Sequence, residues 1–330
     1  PKIERQIEQL GQKMALANTL ESIAADWLMV KKAAISERHA EKTWRRLELH
    51  VFPFIGKLPI EKVIAPVAID ALKPLVARGN LDTAHRIGVI LNQILTYAVN
   101  TGIAVRNPLA GIRASFPAPQ ATNNPTLKPD ELNILMSKLN SASIKISTRI
   151  LIEFQLHTMV RPSEATGARW GEMDLNKKLW TIKTTRMKSN RNHIVPLTDQ
   201  AVTLLQVMKG MTCNSDFVFP SDRNCNTHIN NETANKALGR IGLKGRLTAH
   251  GMRSIASTAL NDARFDSDLI EVCLAHVESN KTKAAYDHAE YVEPRRPLMV
   301  WWSNFIEQAA TGSMSAVGAS SPLLGTILFH

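Results

Sequence analysis

Leu179-Trp-Thr-Ile-Lys183 and His193-Ile-Val-Pro196, joined by the polar run Arg186-Met-Lys-Ser-Asn-Arg-Asn192, are where this sequence changes period. The first segment alternates apolar with polar and the second is short and apolar, so the pair predicts a β-hairpin with a basic tip. On both sides of it the apolar residues return at helical spacing. Helices are expected at 129–139 and 144–159 before the hairpin, and at 198–209, 231–241, 250–263, 267–276 and 294–309 after it. The second half of the chain is therefore mainly α with a small β-hairpin or sheet, an α+β unit.

Upstream, residues 1–110 read as nearly all helix. A charged connector helix at 1–14 precedes helices at 19–32, 36–50, 66–78 and 81–101, interrupted where Pro53 and Gly56 break the pattern. Pro117, Pro119, Asn123, Asn124 and Pro125 mark 115–125 as a linker. The division is then a helical domain at 15–114, the linker, a second domain at 126–310 and a Gly/Ser/Ala-rich tail at 311–330 that closes on an apolar patch. Two domains suit 330 residues at roughly 150 residues each.

Forty basic against twenty-nine acidic residues leave a formal charge of +11, which points to a polyanionic partner, nucleic acid first. Three scattered cysteines, Cys213, Cys225 and Cys273, argue against a disulfide scaffold or a structural zinc site and fit a reducing cytoplasm. No run of about 18 apolar residues exists to cross a membrane. The chain opens Pro-Lys-Ile-Glu without an initiator Met or a signal peptide, so it is expected to be a fragment with its natural start upstream.

The residues that carry chemistry are scattered, and each alone has an ordinary structural explanation. His250-Gly-Met-Arg253 places a His and an Arg three apart, on one helical face, a pairing suited to a phosphate. Arg161 stands between an apolar helix and Pro162, with Glu164 placed to hold its guanidinium. Lys188 sits at the hairpin tip, where it could reach a leaving oxygen. His276 ends the apolar stripe Phe265, Leu269, Val272, Cys273, read as helical. Tyr286, one of three tyrosines with Tyr97 and Tyr291, becomes a nucleophile only where its proton has a destination and the electrophile is held in line.

Taken in order, Arg161, Lys188, His250-x-x-Arg253, His276 and Tyr286 resemble the tyrosine recombinases, the phage integrase family, over about residues 15–310. The wording is similar to integrases of prophages and genomic islands in Arg-Pro-Ser-Glu-Ala at 161–165, Arg-Met-Lys at 186–188, His-Gly-Met-Arg at 250–253, Leu-Ala-His at 274–276, Ala-Tyr at 285–286 and Glu293-Pro-Arg-Arg296 before Trp301-Trp302. It departs two residues before Arg161, where the family usually has Gly and this chain has Met159. Tyr291, five residues past Tyr286, is the other candidate nucleophile; the spacing from His276 favours Tyr286.

The resemblance implies a helical core-binding domain of the SAM-like type, then a catalytic domain, closing on duplex DNA as a clamp. It implies a site-specific recombinase that integrates or excises a mobile element in a bacterial cytoplasm, with no metal or other cofactor. Tyr286 would form a 3′-phosphotyrosyl link, Arg161 and Arg253 would hold the non-bridging oxygens, and Lys188 would protonate the 5′-oxygen. His250 would assist proton transfer and His276 would hydrogen-bond the phosphate. Lys31, Lys32, Arg38, Lys42, Arg45, Arg46, Arg86, Arg186 and Arg191 are the candidate DNA contacts. Family behaviour further implies a homotetramer on paired attachment sites, accessory DNA-bending or directionality factors, an arm-binding domain upstream, and docking of the residues after about Pro294 on a neighbouring subunit. Two alternatives stay open at this point: a DNA-binding regulator without catalysis, and a type IB topoisomerase-like relaxing enzyme.

Overall fold

The computed structural model describes residues 18–119, 123–186, 192–212, 215–276 and 292–310. The expected connector helix at 1–14 and the tail at 311–330 lie outside them. The chain divides into two compact units, Pro1–Thr122 and Asn123–His330.

In the first unit α1 (Leu20–Lys32) begins at Thr19, whose hydroxyl accepts the Ser22 N–H at 3.2 Å, a standard N-cap. α2 (Glu37–His50) turns Ala40, Thr43 and Leu47 inward and its cations outward. A single turn, α3 (Phe52–Ile55), follows where Pro53 occupies a first-turn position that needs no N–H. α4 (Ala65–Ala77) and α5 (Leu81–Asn100) complete the bundle. The long α5 is its axis: Ala84, Ile87, Leu91, Ile94, Leu95 and Ala98 are all within 1% of full burial. Aliphatic contact of this kind is worth about 25 cal/mol per Å² removed from water, and it makes the unit a self-sufficient core.

The second unit is built around α7. α6 (Leu132–Asn140) leads to α7 (Ile146–Thr158), in which every residue from Ile150 to Thr158 is buried. A helix buried on nearly all sides lies at the centre of its domain. Several of its polar groups find partners inside the unit: Arg149 Nε meets Glu153 at 2.9 Å, Gln155 donates to the Ala249 carbonyl at 2.7 Å, and His157 Nδ1 lies 2.9 Å from Ser303 Oγ. Then come α8 (Pro162–Thr166) and an antiparallel sheet in the order β1 (Met173–Asp174), β2 (Leu179–Ile182), β3 (His193–Pro196). Trp180 pairs with Val195 and with Met173 on its two sides. The expected hairpin is present, widened by a third strand.

α9 (Asp199–Met211), α10 (Thr233–Leu238), α11 (Gly251–Asp262) and α13 (Val292–Ala309) pack on α7, and α12 (Ser267–Cys273) packs on α11 and α13. α13 is no free arm: Leu298, Met299, Trp302 and Ile306 are buried in this unit's own core, and Trp302 Nε1 donates to the Leu156 carbonyl at 2.8 Å. The apolar face of α13 thus belongs to the core of its own unit, while Val300 on the same helix is exposed. Among the described residues no helix is long and apolar enough to cross a membrane.

Candidate active site

Two helices of the second unit stop in the same unusual way, and their ends build the site. α7 closes at Met159, which takes φ +56° and sends its N–H to the Gln155 carbonyl at 3.0 Å. α12 closes at Ala275, φ +48°, whose N–H bonds Val272 while the N–H of His276 bonds Glu271, both at 3.0 Å: the paired bonds of a Schellman turn. Left-handed caps are usually Gly or Asn, because a Cβ costs about 1–2 kcal/mol there. Neither residue is of that kind, so the surrounding packing holds the turns. His276 is thereby corrected: it lies past the end of α12, turned off the helix by Ala275, rather than on the apolar stripe.

The two caps expose carbonyl oxygens, and guanidiniums take them. Arg253, 4% exposed on α11, donates through Nη1 to the Met159 carbonyl and through Nη2 to the Leu274 carbonyl. Arg161 reaches the Ala275 carbonyl through Nη2 at 2.8 Å. Glu164, 2% exposed, holds Arg161 twice: Oε2 accepts its backbone N–H at 2.8 Å and Oε1 accepts Nη1 at 2.9 Å. Charge-assisted bonds of this kind fix a guanidinium in direction as well as place. His276 presents Nε2 3.4 Å from Arg253 Nη2, and its Nδ1 is 2.7 Å from Glu271 Oε2.

His250 caps α11, and the glycine after it is dictated by contact. A Cβ on Gly251 would lie 2.1 Å from the Pro125 carbonyl oxygen. Thr248 N–H also donates to that oxygen at 3.1 Å, and Thr126 Oγ1 donates to the Gly251 carbonyl at 2.8 Å. Asn235 Oδ1 accepts the Ala249 N–H at 2.8 Å, so the turn carrying His250 is pinned from two sides.

Two guanidiniums and two imidazoles this close make a strongly cationic seat. Burial pushes Arg253 down to about 10, and Arg161 adds to the shift, while Glu164 and Glu271 oppose it. Arg253 still carries its charge at neutral pH. His250 is pushed below its ordinary value, first by partial burial and then by Arg253, Arg161 and His276. It is therefore a neutral imidazole at pH 7, able to accept a proton. Cations fixed this close together suit an oxyanion whose charge grows during reaction, as on a phosphate in displacement.

The structure thus brings Arg161, Glu164, His250, Arg253 and His276 together. Lys188, Arg191, Tyr286 and Tyr291 lie outside the described residues. Arg186, read from sequence as a DNA contact, faces inward: Nη1 meets the Glu172 carboxylate at 2.7 and 2.5 Å, and Nη2 donates to the Glu164 carbonyl at 2.7 Å. Since Glu172 also accepts Trp180 Nε1 at 3.0 Å, Arg186 ties the sheet to the helix behind Arg161. In the first unit Arg38, Lys42 and Arg45 are exposed along α2, with Arg46 half-buried beside them. Lys32 ends α1 exposed, and Arg86 is exposed and paired with Asp82 at 2.7 Å. Lys31 lies over the Trp27 ring, bonded to Gln93, and burial lowers its pKa.

Sequence reasoning missed Glu271 and Glu172, whose roles appear only through their partners. It also missed a shallow, open depression bordered by Asn235, Lys236, Gly239, Arg240 and Lys244, next to the His250 turn through Asn235. Among the described residues no group of three or more His, Cys, Asp or Glu could hold a metal ion.

Residues 125–293 match the model of the phage integrase family, and residues 20–115 match that of the phage integrase central domain. The chain is 43% identical over 312 residues to prophage integrase IntA of Escherichia coli (strain K12), covering 94% of this chain and 76% of that protein. It is 32% identical over 307 residues to the integrase of Enterobacteria phage P4, covering 88% and 70%. In fold it is similar to a lambda integrase tetramer bound to a Holliday junction, with a TM-score of 0.65 at 16% identity over 84% of this chain and 86% of that one. A lambda integrase dimer (residues 75–356) bound to a COC′ core site superposes with a TM-score of 0.63 at 15% identity, covering 82% and 96%.

Proposed function

The chain belongs to the phage integrase family, the tyrosine recombinases, and is a site-specific DNA integrase; from that premise we propose how its residues divide the reaction. The first unit is the core-binding domain and the second the catalytic domain. The scissile phosphate sits between Arg161 and Arg253, whose guanidiniums carry the growing charge of its non-bridging oxygens. The Tyr286 phenolic oxygen attacks phosphorus, and the bond from phosphorus to the 5′-oxygen breaks. The tyrosine proton passes to a base, for which the neutral His250 is suited. Lys188 supplies the proton that turns the leaving 5′-oxygen into a hydroxyl. His276 hydrogen-bonds a phosphate oxygen. The 3′-phosphotyrosyl bond keeps the energy of the phosphodiester, so the reverse attack by a 5′-hydroxyl rejoins the strands without a nucleotide cofactor. Two arginines occupy the place a divalent cation would otherwise take.

The observation that carries this reading is the convergence of Arg161 and Arg253 on the carbonyls of Met159, Leu274 and Ala275, with His250 and His276 beside them. Nothing in the packing of the core requires four cationic or protonatable groups at one seat, and a phosphate does. Duplex DNA at attachment sites is the substrate, bound in part by Lys32, Arg38, Lys42, Arg45 and Arg46. The DNA-bound dimer and the junction-bound tetramer of lambda integrase support action as an oligomer, up to a tetramer on two sites, with accessory factors setting direction.

The test is a suicide substrate: nicked duplex bearing candidate attachment sequence, in EDTA, scored for an adduct that survives SDS. Wild type is expected to form it and Tyr286→Phe to lose it, with Tyr291→Phe unaffected. Loss with Tyr291→Phe alone would move the nucleophile. An adduct that requires added metal would overturn the two-arginine account.

A further inference from the structure

Glu271 is an exposed carboxylate with an odd set of partners. Its backbone carbonyl accepts the N–H of His276 at 3.0 Å, and its Oε2 lies 2.7 Å from Nδ1 of the same residue. Main chain and side chain of one residue therefore hold both the backbone and the ring of His276. The opposite ring nitrogen, Nε2, lies 3.4 Å from Arg253 Nη2. An imidazole gripped at Nδ1 can offer only Nε2 to whatever Arg253 binds. We infer that Glu271 is the positioning residue of this site, holding the His276 ring with Nδ1–H donated to its own carboxylate and Nε2 turned to the phosphate beside Arg253. The inference rests on the reading of Arg161 and Arg253 as the phosphate seat.

His276 faces Arg253 and His250 from α11, Arg161 at the start of α8, and Glu271 from α12, with Glu164 behind Arg161. With Nδ1 taken by the carboxylate, the ring has only Nε2 to present to a phosphate held beside Arg253. Glu271 itself touches no substrate atom.

The experiment compares Glu271→Gln, Glu271→Asp and Glu271→Ala with wild type, each alone and combined with His276→Gln. Three quantities are read: the affinity for the nicked attachment duplex, the single-turnover rate of adduct formation, and the His276 ring nitrogens by long-range proton–nitrogen NMR. Glu271→Gln keeps an acceptor and the fold but removes the charge. Its DNA affinity is expected to stay within about twofold while the adduct rate near pH 7.5 falls about fivefold, the scale of an exposed ion pair. Glu271→Asp should recover part of the rate, and none of the three should slow the His276→Gln enzyme further. The same rate loss with and without His276 would overturn the inference. So would NMR showing the His276 proton on Nε2 in the neutral wild-type ring. That reading needs no catalysis, so it tests the inference even if wild type forms no adduct, an outcome that would sink the functional reading instead.

Discussion

Met159 is the residue whose replacement should be most informative about how the site is built. It is 1% exposed, caps α7 at φ +56°, and gives its carbonyl to Arg253. Two effects oppose each other there. Removing a buried Met side chain costs about 2–5 kcal/mol through lost contacts and the cavity left. A Cβ in the left-handed region costs about 1–2 kcal/mol, which only Gly avoids. Gly in turn gives back about 0.5–1 kcal/mol through the greater freedom of the unfolded chain. Met159→Ala therefore carries most of the side-chain loss and keeps the strain, whereas Met159→Gly escapes the strain but loses the buried Cβ as well, about 0.8 kcal/mol. Both variants should be less stable than wild type, and the opposing terms leave Gly and Ala within about 0.5 kcal/mol of each other. In an ordinary helical position Gly is the worse of the two by about 1 kcal/mol before any buried contact is counted. Urea denaturation followed by tryptophan fluorescence measures this: Trp170, Trp180, Trp301 and Trp302 report on the second unit, and Trp27 and Trp44 on the first, which should not move. An Ala variant more stable than the Gly variant by about 1.5 kcal/mol or more, the order of an unstrained buried position, would refute the claim that packing forces Met159 into a strained turn.

Gly251→Ala should cost at least the 1–3 kcal/mol typical of overpacking and should slow adduct formation, because its Cβ would meet a main-chain oxygen at 2.1 Å; Gly171→Ala, with open space around it, is the control expected to stay within about 0.5 kcal/mol in thermal unfolding. Arg186→Ala should destabilise by about 3–5 kcal/mol, leaving Glu172 buried without its cation, while the slope of DNA affinity against salt concentration stays that of wild type; a shallower slope would restore Arg186 as a phosphate contact. His157, fully buried, is pushed down to about 3 by burial, so the folded protein refuses a proton that the unfolded chain takes up near its ordinary value. Stability is accordingly unaffected at high pH and lost as pH falls below about 6.5, by about 2–3 kcal/mol at pH 4.5. Denaturation of wild type and His157→Gln at both pH values should show a smaller acid loss in the variant.

Much of this was written in local pattern. The alternation at 179–183 and the apolar segment at 193–196 encode a hairpin because side chains of a half-buried strand must alternate. β1 escaped notice because two residues, Met173 and Asp174, are too few to show a period. Arg186 reads from sequence as a DNA contact because a charge at a polar turn is usually exposed; its partner Glu172 lies fourteen residues back, and only the folded sheet brings them together. The sequence carries α12 three residues too far because the usual stop signal, Gly, is absent and Ala275 takes its conformation instead. Arg161, Arg253, His250 and His276 were legible as a set through their order and wording. That their guanidiniums rest on helix-end carbonyls was not, since a carbonyl leaves no trace in the one-letter code. The apolar stripe of α13 is one that a core and a subunit contact demand alike, and only the fold shows that its buried face lies in the core of its own unit, where Trp302 bonds Leu156.

The anchoring of Arg161 and Arg253 has an evolutionary side. Their three acceptors belong to Met159, Leu274 and Ala275, but every residue owns a carbonyl oxygen. The arginines thus register the path of the chain and are blind to which side chains mark it. Sequence drift at these three positions passes unseen by the reacting centre as long as α7 and α12 stop where they do. An insertion of one residue in either helix, harmless on most surfaces, would rotate the acceptors away by about 100°, and the Arg161 or His276 that follows them would turn with them.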